Sequence, residues 1–528
     1  MSSAFIFEEV ARTHPDFLRD ESRCMGNADA LALPRTEDEL RTSLAFARER
    51  GWSVTVQGGR TGLTGGAVPD GGLVINLTRM NRVSGLRQTA EGNFACTVQP
   101  GVMLQDLRRM LVAREFDTTG WSEASFAALE IFRAAPPYFF PPDPTETTAT
   151  LGGMAACNAS GACTFRYGAM RQHVAALRVM LPDGDVVVLR RGEVRAQGRE
   201  FVLTTENHRR LTGRIPNYTM PDVKNSAGYF AADDMDLLDL FIGSEGTLGI
   251  FSELELQFQP VPAVRWGLLA FFPDQAAAVQ CVLTVRALGD MQLAALEFFD
   301  RQALDLLRRE REHSAALAAL PELSAHFDTA VYFEIHAPDD AMAGITMENL
   351  LAGGVDGENS WMATSARDME KFKAFRHALP EAVNRLIDEY RKTEPALTKL
   401  GTDMAVPDKC LVAILARYRL DLKNAGLNHL IFGHVGDNHL HVNILPVSAA
   451  EYRRGRELYL EWAADIVKLG GTVSAEHGIG KLKSPLLKTM FGSRGIEEMR
   501  MTKRFFDPDM CLNRGNLFNN QADRDIAT

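Results

Sequence analysis

The sequence predicts an α+β chain of more than one domain. Three observations carry that expectation. Capped helical patterns alternate with short apolar strands, a Pro-Asp-Gly-Asp turn joins two apolar runs, and the character of the chain changes at a pair of prolines near residue 260. A chain of 528 residues is also too long for one core, so two or three domains are expected.

The elements follow in order. Thr36 to Arg50 reads as an amphipathic helix, with Thr36 as N-cap and Glu39 as its capping-box partner. A strand over Ser53–Val56 runs into Gln57-Gly58-Gly59-Arg60-Thr61-Gly62-Leu63-Thr64-Gly65-Gly66, and a second strand over Gly72–Leu77 follows. Thr145 to Gly161 repeats the small-residue theme, and Leu177 to Val187 is a hairpin turning on Pro182-Asp183-Gly184-Asp185. Phe258 to Ala263 reads as a linker, with the main boundary at Pro260–Pro262. Beyond it come strands at Trp266–Phe272, Leu296–Phe299 and Ala330–His336, and a helix at Asp274–Leu288. The tail from Phe505 to Phe518 returns to loop and short-helix composition, and the last eight or so residues are expected to fray.

Composition excludes several classes. Hydrophobic content of 46% and charged content of 24% describe a globular protein, and a net charge of −11 argues against nucleic-acid binding. The seven cysteines are scattered with no Cys-x-x-Cys pair, which suits reduced thiols and not a disulfide framework or an iron–sulfur cluster. Met1 to Asp20 has no apolar stretch of the signal-peptide kind, and no apolar run approaches a membrane span. The expected location is the cytoplasm, with peripheral membrane attachment left open.

The densest chemistry lies at Gly433-His434-Val435-Gly436-Asp437-Asn438-His439-Leu440-His441, completed by Ser474-Ala475-Glu476-His477-Gly478. Apolar and β-branched neighbours make surface imidazoles implausible there. A buried polar hairpin is the bland alternative. His434 and His441 can give neutral nitrogens and Glu476 an oxygen, a set that suits a divalent ion, zinc first, with a position left open.

The glycine loops point to a second ligand. Small residues let a backbone approach closely and offer N–H groups to phosphate oxygens. Residues 57–66, 150–161 and 241–250 are three such loops, and together they suit a large phosphate-bearing cofactor. No Lys completes a P-loop, and the first loop leads into a strand instead of a helix, so neither a nucleotide triphosphate site nor a Rossmann site fits.

The ordered motifs Gly58-Gly59-Arg60-Thr61-Gly62-Leu63, Pro142-Asp143-Pro144, Thr150-Leu151-Gly152-Gly153, Asn158-Ala159-Ser160-Gly161, Arg166-Tyr167-Gly168 and Gly243-Ser244-Glu245-Gly246-Thr247-Leu248-Gly249 resemble FAD-linked oxidases of the vanillyl-alcohol oxidase and p-cresol methylhydroxylase type. The second half is similar to their 2-hydroxy-acid branch: D-lactate and D-2-hydroxyglutarate dehydrogenases and the glycolate oxidase flavoprotein subunit. The resemblance spans roughly residues 30 to 518. It implies a two-subdomain FAD-binding domain at 1–260, an α+β substrate domain with an antiparallel sheet at 261–495, and a C-terminal segment at 496–528 returning to the first domain. It implies FAD contacts from residues 58–63 and from Pro142, Asp143, Gly152, Gly153, Asn158, Ser160, Gly161, Gly168, Gly243, Glu245, Gly246 and Ile250. Residues 57–66 hold no histidine, so a non-covalent FAD is expected. The resemblance also makes His434, His441 and Glu476 the metal ligands, His477 the base, Arg376 and Lys399 the substrate carboxylate contacts, and Asn443 a further polar contact.

Two departures stand out. The family reads Gly-Asp-Gly-Asn-Leu/Phe-His where this chain reads Gly436-Asp437-Asn438-His439-Leu440-His441. Asn438 can take the positive φ of the missing glycine. His439 is an extra ligand, a donor to a ligand or a proton relay, and the second of these is expected first. Phe116 to Tyr138 reads as an insertion forming a packed helix, more as padding of the first domain than as a partner surface. The implied activity is oxidation of a D-2-hydroxy acid, with electrons passing on to a quinone, a cytochrome or an electron-transfer flavoprotein. Alternatives are oxidation of an aromatic alcohol or phenol, and a flavoprotein subunit serving a partner iron–sulfur subunit. A homodimer is also open.

Overall fold

A computed structural model describes residues 5–289, 292–395 and 397–519. Its first half holds two larger sheets and a two-stranded ribbon, Glu200–Thr204 with Arg210–Arg214. One has four strands in the order Ile6–Glu8, Ala30–Ala32, Leu73–Asn76, Val54–Gln57, the last two parallel with Val54 opposite Leu73. The other is an antiparallel sheet of five strands, Val83–Gln88, Phe94–Val98, Ile250–Gln257, Val174–Met180 and Val186–Arg190. Helix Glu37–Glu49 lays Leu40, Leu44 and Ala47 into the first core. Thr36 caps it by accepting from the Glu39 N–H, but the Glu39 carboxylate reaches the Arg35 N–H, one residue short of a reciprocal capping box. At the expected hairpin, Leu181 N–H donates to Asp185 O and Gly184 takes φ +87°, which a side chain would strain.

The second half is built on one antiparallel sheet of eight strands. Seven run in the order Ser360–Ala363, Val264–Phe272, Thr329–Ala337, Leu293–Phe299, His429–His434, His439–Ile444, Leu400–Gly401, and Met404–Ala405 also pairs with His439–Ile444. Helices cover it, the longest Ala366–Tyr390. The linker is not free: Gln259 and Pro260 pair with Phe139 and Tyr138. The segment read as an insertion holds helix Glu123–Ala134, with Leu129 and Phe132 buried and the Trp121 indole N–H donating to Val83 O at 2.8 Å. Burial of each such side chain contributes about 1.5–3 kcal/mol, so the helix is held as core.

Helix Ser484–Phe506 leads back to the first half. Val54 N–H donates to Cys511 O, Asn513 N–H donates to Val54 O, and the buried Lys503 ammonium donates to Thr247 O and Leu512 O and pairs with Asp507. The return thus pins the third glycine loop. The last eight or so residues, expected to fray, lie outside those described.

Candidate active site

The histidine hairpin owes its geometry to strand register. His434 stands opposite His439 and Phe432 opposite His441, and residues directly opposite share a face. Because alternate residues of one strand also share a face, His439, His441 and Asn443 line up beside His434. The turn between them is a short 3-10 segment, Val435–Asp437, closed by Asn438 at φ 51°. Asn438 does take the positive φ expected of it.

Glu476 and His477 come from a loop nailed down at both ends. Asp403, with no exposed side-chain surface, accepts from the N–H groups of Glu476 (3.2 Å) and His477 (3.0 Å), from Ser474 Oγ (2.6 Å) and from Lys483 Nζ (2.6 Å). Further on, the buried Glu245 carboxylate accepts from Ile479 N–H and Gly480 N–H at 2.7 and 2.8 Å. Burial opposes the charge of Asp403, but His477 and Lys483 overcome it and hold its carboxyl well below the usual range.

The side chains so placed meet. Glu476 Oε2 lies 3.3 Å from His434 Nε2, and Glu476 Oε1 lies 3.3 Å from His441 Nε2. Ligands held at about 2.0–2.1 Å by a tetrahedral ion stand about 3.3–3.4 Å apart, and each imidazole nitrogen keeps that separation from one of the two carboxylate oxygens. His434 Nδ1 is 2.7 Å from Glu297 Oε1, and His441 Nδ1 is 2.9 Å from Thr402 O, which turns each remaining nitrogen toward Glu476. Burial disfavours charge on His434, yet Glu297 outweighs it and lifts its pKa to about 10. Burial likewise opposes the Glu476 charge, and Lys224 and His434 hold that carboxyl well below its usual range. Lys224 Nζ, nearly sequestered from solvent, bonds Glu476 Oε2 at 3.0 Å. His477 stacks on His441 with centroids 5.4 Å apart, and it is the more exposed of the two imidazoles. Its Nδ1 is 3.6 Å from Asp403 Oδ2 and its Nε2 is 3.5 Å from Glu476 Oε1.

Arg376 and Asn443 lie beside this cluster, whereas Lys399 is not brought to it. Arg376 is buried beside Glu334 and Glu297, with Nη1 3.7 Å from Glu334 Oε2 and a buried Nε–H that has no acceptor among the described residues. Asn443 is buried on the histidine face. Lys399 is half-buried next to Arg23 and pairs with no carboxylate among the described residues; burial and that like charge push its pKa down.

The glycine loops divide by role. No acceptor for the backbone N–H groups of Gly58 to Leu63 is found among the described residues, which leaves a row of donors suited to a pyrophosphate. The loop packs tightly behind: a Cβ on Gly58 would stand 2.1 Å from Thr150 Oγ1, one on Gly152 2.4 Å from Pro100 Cβ, and one on Gly161 2.2 Å from Asp143 O. Thr150 caps the helix that carries Gly152 and Gly153. Ser160 Oγ lies 3.3 Å from Glu476 Oε2, so the second loop abuts the histidine cluster.

Other expected cofactor residues work structurally through the groups described. Gly243 N–H and Glu245 N–H donate to Ala155 O and Ala156 O. Asn158 Oδ1 accepts from Arg171 N–H, Asp143 Oδ1 from Cys163 N–H, and Pro142 O from Arg108. Gly168 and Gly246 take φ +78° and +69°. Ile250 opens a central strand with its side chain in the core.

Four residues escaped the sequence reading: Asp403, Lys224, Glu297 and Glu334. Three left a trace, a lone carboxylate inside an apolar run (Leu296-Glu297-Phe298, Phe333-Glu334-Ile335, Asp403-Met404-Ala405-Val406). Such a residue is buried with a partner or it is not tolerated. Lys224, in Pro221-Asp222-Val223-Lys224, left none.

An open row of amide donors beside a buried cluster of imidazoles and a carboxylate, at the meeting of two domains, defines a cofactor-dependent enzyme. Comparison with known families makes this specific. Residues 261–517 match the model of FAD linked oxidases, C-terminal domain, and residues 28–120 and 124–190 match that of the FAD binding domain. The chain belongs to the FAD-linked oxidases. It is 28% identical to the glycolate oxidase subunit GlcD of Bacillus subtilis, covering 94% of this chain and 91% of that one. It is also 28% identical to a D-lactate dehydrogenase of Anaerostipes hadrus (95% and 92% covered) and to a D-2-hydroxyglutarate dehydrogenase of Xanthomonas citri pv. viticola (93% and 89%). The fold is shared with an alkyldihydroxyacetonephosphate synthase, with a TM-score of 0.63 at 17% identity over 97% of this chain and 82% of that one. No helix among the described residues is long and apolar enough to cross a membrane.

Proposed function

We propose that the protein oxidises a D-2-hydroxy acid of the lactate, 2-hydroxyglutarate or glycolate class to the 2-oxo acid, with non-covalent FAD and a divalent metal held by His434, His441 and Glu476. The observation that carries this reading is the meeting of those three side chains and His477 around the Glu476 carboxylate, one serine away from the glycine loops. When bound, FAD supplies the acceptor for the hydride leaving C2, and a divalent ion such as zinc supplies positive charge beside the hydroxyl oxygen.

The protein's own groups do the rest. His477 Nε2 takes the hydroxyl proton, and Asp403, 3.6 Å from Nδ1, stabilises the imidazolium that results. Arg376 offers its unused Nε–H to the substrate carboxylate, and Lys399 is a further cation that pairs with no carboxylate among the described residues. Electrons then leave to a quinone, a cytochrome or an electron-transfer flavoprotein.

The test is a spectrum of the purified protein during anaerobic addition of D- and L-hydroxy acids, with and without chelator. Bleaching of the flavin band by one D-acid, lost on chelation, is expected. Full activity after exhaustive metal removal would sink the metal assignment. Turnover that persists in His477→Ala, at more than about 1% of the parent, would place the base elsewhere, since a general base contributes about 10²–10⁴-fold.

A further inference from the structure

His439 is the one member of the cluster with nothing to do if it is not a ligand. It is wholly buried, and among the described residues neither of its ring nitrogens has a hydrogen-bond partner. Its Nε2 faces Asp403 Oδ1 at 3.0 Å, and its Nδ1 turns to Glu476 Oε2 at 3.9 Å. The same arrangement holds for its neighbours. His434 spends Nδ1 on Glu297 and His441 spends Nδ1 on Thr402 O, and each turns its other nitrogen to the same carboxylate. Three imidazoles therefore repeat one placement: one nitrogen sits against an outer oxygen, hydrogen-bonded in His434 and His441 and at 3.0 Å without a bond in His439, and the other turns to one carboxylate. The His434–His439 and His439–His441 ring centroids are 5.3 and 4.4 Å apart, and one ligand atom from each of the three histidines and Glu476 lies within 4.8 Å of every other.

A competing grouping of Asp403, His441, Glu476 and His477 lies in the same place. Asp403 is a poor ligand within it, because both its oxygens already accept from backbone amides, Ser474 and Lys483. Its part is to aim His439.

We propose that His439 is a fourth protein ligand of the metal, through Nδ1, and not the donor to a ligand that the sequence led one to expect. The inference rests on the metal reading given above. It makes the set three nitrogens and one carboxylate, which holds zinc more firmly than two histidines and a glutamate.

The experiment uses the full FAD-loaded chain, stripped with chelator and reloaded with zinc alone. X-ray absorption at the zinc edge should count three imidazoles in the parent protein and two in His439→Asn, which restores the residue usual in the family. Competition with a chromophoric chelator should show zinc affinity falling by more than about 100-fold in the variant, because loss of an outer partner alone costs about 10–100-fold. Two imidazoles in the parent, or an affinity drop under 10-fold, would overturn the assignment while leaving the metal reading intact. A parent that takes up no zinc would remove both. The imidazole count in the parent needs no variant, so it stands even if His439→Asn folds poorly.

Discussion

Replacing Asp403 by Asn should be among the most damaging single changes outside the ligands themselves, and the structure sets its size. The carboxylate has no exposure and serves four donors, two backbone amides, Ser474 Oγ and Lys483 Nζ, with His439 Nε2 3.0 Å away. Asn keeps the shape and one acceptor oxygen, but its amide NH2 would face donors, and the ammonium of Lys483, about one-eighth exposed, would lose its counter-ion. Removing one partner of a buried pair costs about 3–5 kcal/mol. The retained oxygen and the partial exposure of Lys483 place the expected cost near the lower end, about 3 kcal/mol. The double variant Asp403→Asn with Lys483→Met should recover about 2 kcal/mol of it, because the unpaired charge is gone. Turnover should fall in both variants by about 100-fold or more, since Glu476 and His477 hang from the lost oxygens and misplacement by 1 Å costs about that much. Urea unfolding of the FAD-loaded protein followed by fluorescence, with turnover measured in parallel, gives both numbers. A loss below 1 kcal/mol, or a Lys483→Met change that simply adds its own penalty, would refute the claim that Asp403 organises the loop by charge.

Two further outcomes are expected. Asp300 caps helix Arg301–Glu310 and accepts from Ala303 N–H and Ile431 N–H, and burial pushes its carboxyl up to about 7. In the unfolded chain it ionises near 3.9, so the native state binds the extra proton between about pH 4 and 7. Its contribution to stability is full below pH 4 and lost as pH rises to 7, by up to about 4 kcal/mol. Stability curves at several pH values should be flatter in Asp300→Asn over that window, and identical slopes would show that the group does not titrate in the fold. Arg376→Lys should lower kcat/KM for the hydroxy acid by about 10–150-fold, the worth of one charge-assisted hydrogen bond of about 1.5–3 kcal/mol. An unchanged kcat/KM would remove Arg376 from the carboxylate site.

The sequence was most legible where a local rule decides the structure. Thr36 before an apolar periodicity, Pro182-Asp183-Gly184-Asp185 between apolar runs and the prolines at 260 and 262 each act over a few residues, and the structure places a helix, a hairpin and a change of sheet there. His434 and His441 were legible because they are dense and flanked by strand residues. Asp403 and Glu297 were not, because their roles depend on partners such as His477 and His434 that only tertiary folding brings near. The glycine loops show the same limit. All three look alike in sequence, yet the N–H groups of 58–63 find no acceptor among the described residues while those of Gly243 and Glu245 are spent on Ala155 and Ala156. The role of His439 is illegible for a related reason: sequence gives its strand face, but not that one of its nitrogens faces Asp403 and the other Glu476.

Charge balance explains why such a cluster persists in a buried place. Among the described residues, Glu476, Glu297, Glu334, Asp437 and Asp403 meet there against Lys224, Lys483 and Arg376. Even with Asp437 protonated, as its burial favours, the balance stays negative. Uncompensated buried charge is costly, so a fold that keeps these carboxylates together needs a cation that its own side chains do not provide. Protons on the histidines are one source, and the lift in the pKa of His434 is the form that pressure takes. A divalent ion is the other, and it meets the shortfall without protonating the imidazoles that would hold it. On this reasoning the lysines are as much a part of the site as the ligands. Lys224 cancels enough charge for Glu476 to stay buried, and the two lysines leave enough uncancelled to draw a cation in.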